Sequence, residues 1–295
     1  MVRRHELSDA AWARIEPLLP AHPRQGGRWR DHRQVVNGIV WKIRTGADWR
    51  DIPERYGPWQ TVYQRFRRWS ADGTWDRLLE HVQVHDDAIG EVDMTGVCVD
   101  STIVRAHQHA AGARKKGTPP GRTGQQDHQT DRALGRSRGG LTTKIHLACD
   151  GRGLPLSFVI TGGNINDCTR LIEVIEAIRI PRKHVGRPRI RPLHLIADKG
   201  YSTNKIRLYL RRRRIAHTIP ERRDQLAARA RRGWRRCGFD KEIYRRRNVV
   251  ERCFNQLKRF RGLATRYEKL AAHYRSVVTI ASLILWLNQD PQNRP

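Results

Sequence analysis

Residues 244–258 read YRRRNVVERCFNQLK. Wound at about 100° per residue, Tyr244, Arg247, Glu251 and Lys258 fall within about 60° of arc, with Asn248 and Asn255 flanking the stripe. Val249, Val250, Cys253, Phe254, Leu257 and Phe260 take the opposite side. The pattern predicts an amphipathic helix. One side packs on a core, while the other presents a single carboxylate among cations, amides and a phenol. A surface helix with a merely solvated charged face has the same pattern, so upstream partners for Glu251 decide between the two.

Two apolar runs upstream each end in an acid. TGVCVD (95–100) closes on Asp100 and LHLIAD (193–198) on Asp198, both patterns of buried strands. Between them, LTTKIHLAC (141–149) and LPLSFVI (154–160) flank Asp150-Gly151-Arg152-Gly153. That is a hairpin signal, and it assigns Asp150 to a turn and not to catalysis. Asn166 or Asp167 caps a helix with Leu171, Ile172, Ile175 and Ile178 inward and Glu173 and Glu176 exposed. A helix over 202–214 and a strand over 215–219 follow Asp198. The order is strand, hairpin, helix, strand, helix, strand, helix: an α/β arrangement with a mixed sheet.

The start of the chain is different. Most of the nine tryptophans fall before residue 76, which predicts a helical unit over 1–83 with its own aromatic core. Ser8 and Asp31 cap two helices, Gly46 stops the second, Pro58 opens a third and Gly73 precedes a fourth. Short helices so connected can form a helix-turn-helix-like DNA reader, with Arg65, Arg67 and Arg68 on or beside the outer face of the third. Residues 84–94 are acidic and form a linker, and 95–295 form the second domain. Within it, 105–140 read as a mobile basic loop carrying Lys115 and Lys116, and 221–238 as a very basic segment.

Lys plus Arg number 58 against 29 acidic residues, a formal charge of +29. No core requires that excess, and nucleic acid is the natural partner. The five cysteines are scattered without a C-x-x-C pair, so neither a disulfide framework nor a zinc ribbon is expected and a reducing cytoplasm suffices. The start MVRRHELSDA lacks a signal-peptide run, and Val277–Leu287 is too short to span a bilayer. No membrane partner is expected.

The spacing Y-x-x-R-x-x-x-E-x6-K of residues 244–258 resembles the signature of bacterial insertion-sequence DDE transposases of insertion sequence family five. ADKGY (197–201), DSTIVRAHQHAAGARKKG (100–117), GADWRDIPERYGPW (46–59) and RGLATRYEKLA (261–271) extend the resemblance over nearly the whole chain. It implies a ribonuclease H-like domain in which Asp100, Asp198 and Glu251 are catalytic and hold two Mg²⁺ ions, with Mn²⁺ as a substitute. Asp100 would bridge both ions, and Asp198 and Glu251 would each complete one site. Three carboxylates alone would repel a phosphodiester, and they become useful by holding hard divalent cations. Arg247 and Lys258 would then clamp phosphates, and Tyr244 would bond or stack nearby; His107 and His109 read as DNA contacts or residues without a role. The implied activity is cleavage of element ends and joining of their 3′-hydroxyls to target DNA. The partners are the terminal inverted repeats, target DNA and further copies of the chain, in a nucleoid-associated cytoplasmic setting. A ribonuclease H-like nuclease or resolvase without strand transfer, or an inactive DNA-binding descendant, are the competing readings.

Overall fold

Ser8 accepts a hydrogen bond from the Ala11 N–H and caps α1 (Asp9–Ile15). Asp31 accepts from Gln34 and caps α2 (His32–Thr45), which Gly46 ends in the left-handed region at φ 70°, where a Cβ would be strained. Pro58 precedes α3 (Trp59–Ala71), and Gly73 precedes α4 (Thr74–Ala88). These elements come from a computed structural model that describes residues 3–21, 29–111, 132–234 and 238–289. Lys115, Lys116, Arg235 and Arg236 lie outside the described residues.

α4 overruns the expected linker, because residues 84–88 continue its helix. The acids there are not solvated: Asp86 pairs with Arg14, and Asp87 with Arg182 and Arg189. Both are buried, so the acidic run is an anchoring point and not a spacer.

The sheet is built on β1 (Val97–Ala106). The strand was expected to end at Asp100, but it continues through Ser101 and the β-branched Thr102–Val104 because β3 (Gly140–Cys149) pairs antiparallel along it, from Cys98↔Cys149 to Arg105↔Thr142. Residues 105 and 106, 135–137 and 140 are therefore sheet, not loop. β2 (Gly135–Ser137) and β4 (Pro155–Gly162) both pair antiparallel with β3. On its other side β1 runs parallel to β5 (His194–Ala197), and β5 runs parallel to β6 (Ala216–Thr218). β7 (Thr265–Arg266) joins the far end of β1, also parallel. Antiparallel through β4, β3 and β1, then parallel to β5 and β6, this mixed sheet is the ribonuclease H-like arrangement.

The helices of five or more residues after the hairpin are α5 (Leu171–Glu176), α6 (Asn204–Arg212), α7 (Arg223–Arg231), α8 (Lys241–Arg245), α9 (Asn248–Lys258) and α10 (Ala271–Leu287). α10 is apolar all round and buried almost throughout, as an interior helix must be. It packs on α2, α3 and α4 and on β4. Buried apolar residues consequently form one continuous cluster from Leu7 to Leu287, where the tryptophan-rich start was expected to have a core of its own. No helix among the described residues is long and apolar enough to cross a membrane.

Candidate active site

β1 and β5 lie side by side with Val99 paired to Ala197. The next residue on each chain is an acid, so Asp100 and Asp198 emerge at the same level of neighbouring strands, which run about 4.8 Å apart. Each carboxylate is oriented by backbone. Asp100 Oδ1 accepts from the Ser101 N–H at 2.8 Å, and Asp198 Oδ1 from the Gly200 N–H at 2.7 Å. Burial pushes the Asp100 carboxyl above its ordinary pKa, and the charge of Asp198 adds to this; the Ser101 N–H and Arg247 pull against it.

Glu251 arrives from the third segment. Val249, Val250, Cys253, Phe254, Leu257 and Phe260 are buried as the periodicity predicts, which seats α9 against the sheet and leaves Glu251 and Lys258 exposed. Tyr244 and Glu251 do not share one helix, however: the chain turns at Arg246–Arg247, so Tyr244 ends up on α8, against Phe239. Below the break lies the Cys98 thiol, whose sulfur is 3.7 Å from the Arg246 carbonyl and 3.6 Å from that of Gly96. The break leaves Arg247 at the N-cap of α9 with its guanidinium forked between two acids. Nη1 donates to Asp100 Oδ2 at 2.8 Å, and Nη2 donates to Glu251 Oε1.

The direct convergence of three acids expected from the sequence is thus only partly met. Asp100 and Asp198 are neighbours, while Glu251 reaches Asp100 through Arg247. Among the described residues, no group of three or more His, Cys, Asp or Glu is placed to hold a metal. The physical reason is the guanidinium itself, a cation that neutralises Asp100 and Glu251 and keeps their oxygens on either side of it. As a donor set the three carboxylates still suit a hard divalent ion, which takes oxygen ligands, and Arg247 shows that this position attracts positive charge.

Beneath the acids is a polar layer that the sequence did not flag. Tyr201 is buried, and burial, reinforced by the charges of Asp100, Asp167 and Asp198, holds its phenol protonated far above neutrality. Ser101 stands near its hydroxyl without completing a hydrogen bond. Lys144 bridges to Asp167 at 2.9 Å, and His146 bonds Thr161 at 2.9 Å. The available signal was Lys144 and His146 alternating on one face of a strand whose other residues are uncharged. Asp150 lies in the β3–β4 turn as expected, accepting from the Asp93, Arg152 and Leu154 N–H groups.

Basic residues approach from two sides. α7 is tied to the turn after Asp198 by Gln225, which donates to the Ser202 carbonyl at 2.5 Å and accepts from its hydroxyl at 2.7 Å. Arg207, Arg222, Arg229, Arg232 and Trp234 line the cleft between α6 and α7. On α3, Arg67 and Arg68 are exposed, whereas Arg65 is not on the outer face. It is 5% exposed, bonds His32 Nδ1 at 2.7 Å and stacks 3.9 Å over Trp29, and burial lowers its pKa to about 10. Tryptophan faces outcompete solvent for a guanidinium, so Arg65 is part of the aromatic packing. His107 contacts both His109 and Tyr267.

Comparisons with known proteins match the same two parts of the chain. Residues 7–79 fit a family model described as a transposase of the IS4/5 family, and residues 91–286 fit the transposase DDE domain. A transposase named for insertion sequence element IS402 of Burkholderia cepacia is 33% identical over 188 residues, covering 63% of this chain and 78% of that protein. One named for IS6501 of Brucella ovis is 29% identical over 147 residues, covering 50% of this chain and 99% of that protein. Among solved structures, the Mos1 transposase paired-end complex with left transposon end is 12% identical, with a TM-score of 0.26 over 79% of this chain and 80% of that one.

Proposed function

The chain belongs to the family of DDE-domain transposases, and on that premise we propose that it cleaves the ends of an insertion sequence and joins the freed 3′-hydroxyls to target DNA. The observation that carries the reading is the adjacency of Asp100 and Asp198 on paired strands, with Glu251 tied to Asp100 by Arg247.

Asp100, Asp198 and Glu251 would hold divalent ions, Mg²⁺ or Mn²⁺ in its place. When bound, such ions supply Lewis-acid stabilisation of charge on the attacking and leaving oxygens. The rest falls to the chain itself. Backbone N–H groups of Ser101 and Gly200 fix the two aspartates before substrate arrives, so these two acids are already oriented. Arg247 leaves the carboxylates and turns its fork to a phosphate, for which its geometry is equally suited. Lys258, further along the exposed face of α9, and the arginines of the α6–α7 cleft bind the DNA backbone, and Tyr244 stacks or bonds nearby. In cleavage a water oxygen bonds to phosphorus and the P–O3′ bond breaks, leaving a 3′-hydroxyl on the element. In joining, that hydroxyl bonds to a target phosphorus and the target's own 3′-oxygen departs. The DNA partners are the terminal inverted repeats and the target, engaged by more than one copy of the chain.

The test incubates the protein with labelled terminal-repeat DNA, target DNA and Mg²⁺. Joined products are expected from the wild type and none from Asp100→Asn, with binding retained. Cleavage without joining would replace the proposal with a nuclease or resolvase. The placement of Arg247 between two of the acids favours one further reading, a DNA-binding descendant that does not cut; binding without cleavage by the wild type would establish it.

A further inference from the structure

Between α5 and β5 the chain leaves the sheet as PRKHVGRPRIRP, residues 181–192. Five of these residues are Arg or Lys and none is acidic. The loop's base is fastened twice. Ile180 and Arg189 exchange backbone hydrogen bonds of 2.9 and 2.8 Å, and the Arg182 and Arg189 guanidinia close on Asp87, buried at the end of α4. Beyond this clamp Lys183 to Arg187 are all exposed, and Val185 packs on nothing. Arg187 makes no hydrogen bond or ion pair among the described residues. A Cβ added at Gly186 would meet only Arg182 Cγ, at 3.6 Å, but its φ of 157° is one that residues with side chains rarely adopt, so the backbone of the tip itself calls for glycine.

A pinned, cationic tip with no internal partner is shaped for an external polyanion. Its form narrows the choice of groove. Reading the major groove takes a helix or a two-stranded ribbon with several base-facing side chains, while the minor groove is only about 6 Å wide. Here one free arginine stands between a glycine, which adds no width, and Pro188, which fixes its own φ and offers no N–H. Arginine is the cation that the narrowed minor groove of A·T-rich DNA attracts, since the potential there is most negative and a guanidinium is only weakly hydrated.

We propose that residues 183–187 form a second DNA-binding element, which inserts Arg187 into the minor groove of A·T-rich duplex. The loop leads into the first residue of β5 and Asp198 follows its last, so the two lie at opposite ends of that strand. The duplex gripped by the loop is accordingly a stretch away from the scissile phosphate. This assignment rests on the transposase reading for the presence of DNA, but adds a site and a base preference to it.

The experiment measures binding of the full chain to three short duplexes by fluorescence anisotropy. One is A·T-rich, one G·C-rich, and one replaces guanine by inosine, which restores an A·T-like minor groove while keeping the G·C major-groove pattern. The wild type is expected to favour the A·T and inosine duplexes by roughly tenfold, the scale of one base-edge contact. Arg187→Ala should equalise all three with an unchanged melting temperature, and Arg187→Lys should keep only part of the preference. A wild type without preference, an inosine duplex that behaves like G·C, or an Arg187→Ala chain that still discriminates would each overturn the proposal while leaving the transposase reading intact. Absence of binding to any duplex would instead sink the transposase reading.

Discussion

Arg266 and Arg247 hold the same side chain in opposite ways. Arg266 is 0% exposed and donates only to neutral acceptors: the Ala133, Glu268 and Lys269 carbonyls and the Thr143 hydroxyl, at 2.6 to 3.3 Å. Burial lowers its pKa to about 10, yet every arm of the guanidinium has a fixed partner. Arg247 sits at the surface end of the sheet between the carboxylates of Asp100 and Glu251. A cage of carbonyls shaped around one cation exchanges it for nothing else. Two carboxylates can exchange one cation for another, so Arg266 is a structural rivet, while under the proposed function Arg247 would be a placeholder.

The largest effect is expected on the chemistry. Asp198→Asn or Glu251→Gln should lower cleavage on the order of a thousandfold, the loss of several kcal/mol of transition-state stabilisation, with DNA binding kept in gel-shift assays. A variant that cuts at the wild-type rate would remove that acid from the site. Next comes the arginine contrast itself. Arg266→Met should cost about 3 kcal/mol or more in urea unfolding by stranding buried acceptors, whereas Arg247→Ala should cost about 1 kcal/mol or less. Added Mg²⁺ should raise the melting temperature of Arg247→Ala more than that of the wild type, because the competing guanidinium is gone. Equal destabilisation by the two variants would erase the distinction.

A pH series adds a comparison between two buried titratable groups. Burial holds His146 down at about 4, so it stays neutral in the fold and contributes stability above 6.5 that is lost as pH falls through 4. Burial pushes Asp150 up to about 6, which has the opposite sign: its contribution is present below 3.8 and is lost as pH rises through 6. Each amounts to roughly 3 kcal/mol, and the two largely cancel between pH 6.5 and 4. His146→Gln should therefore unmask stability that grows on acidification, and Asp150→Asn stability that falls, both read from urea midpoints. The smallest effect is that of Lys258→Ala, which should reduce the slope of log K against log salt by about one phosphate contact. An unchanged slope would remove Lys258 from the DNA path.

Local signals were legible where one residue's chemistry dictates its neighbourhood. Ser8 and Asp31 cap as read, Gly46 stops α2, and the Asp150 turn joins β3 to β4. The apolar side of 249–260 is buried residue for residue. Misreadings arose where a partner distant in sequence overrides the local pattern. Antiparallel β3 extends β1 past Asp100, Arg14 and two loop arginines draw residues 84–88 into helix, and Trp29 and His32 pull Arg65 inward. The cationic tip at 183–187 passed unnoticed because basic residues abound in this chain. Only the clamp on Asp87 sets it apart.

The amino-acid order by itself indicated most of the strands and helices, which faces are apolar, and a charge suited to a polyanionic partner, because periodicity, capping chemistry and net charge are properties of short stretches or simple sums. The tertiary structure alone decided that Asp100 and Asp198 share a level on adjacent strands, that Arg247 stands between Asp100 and Glu251, and which arginines face solvent. Those outcomes depend on strand register and on competition among distant groups for the same charge, and neither is encoded within any one segment.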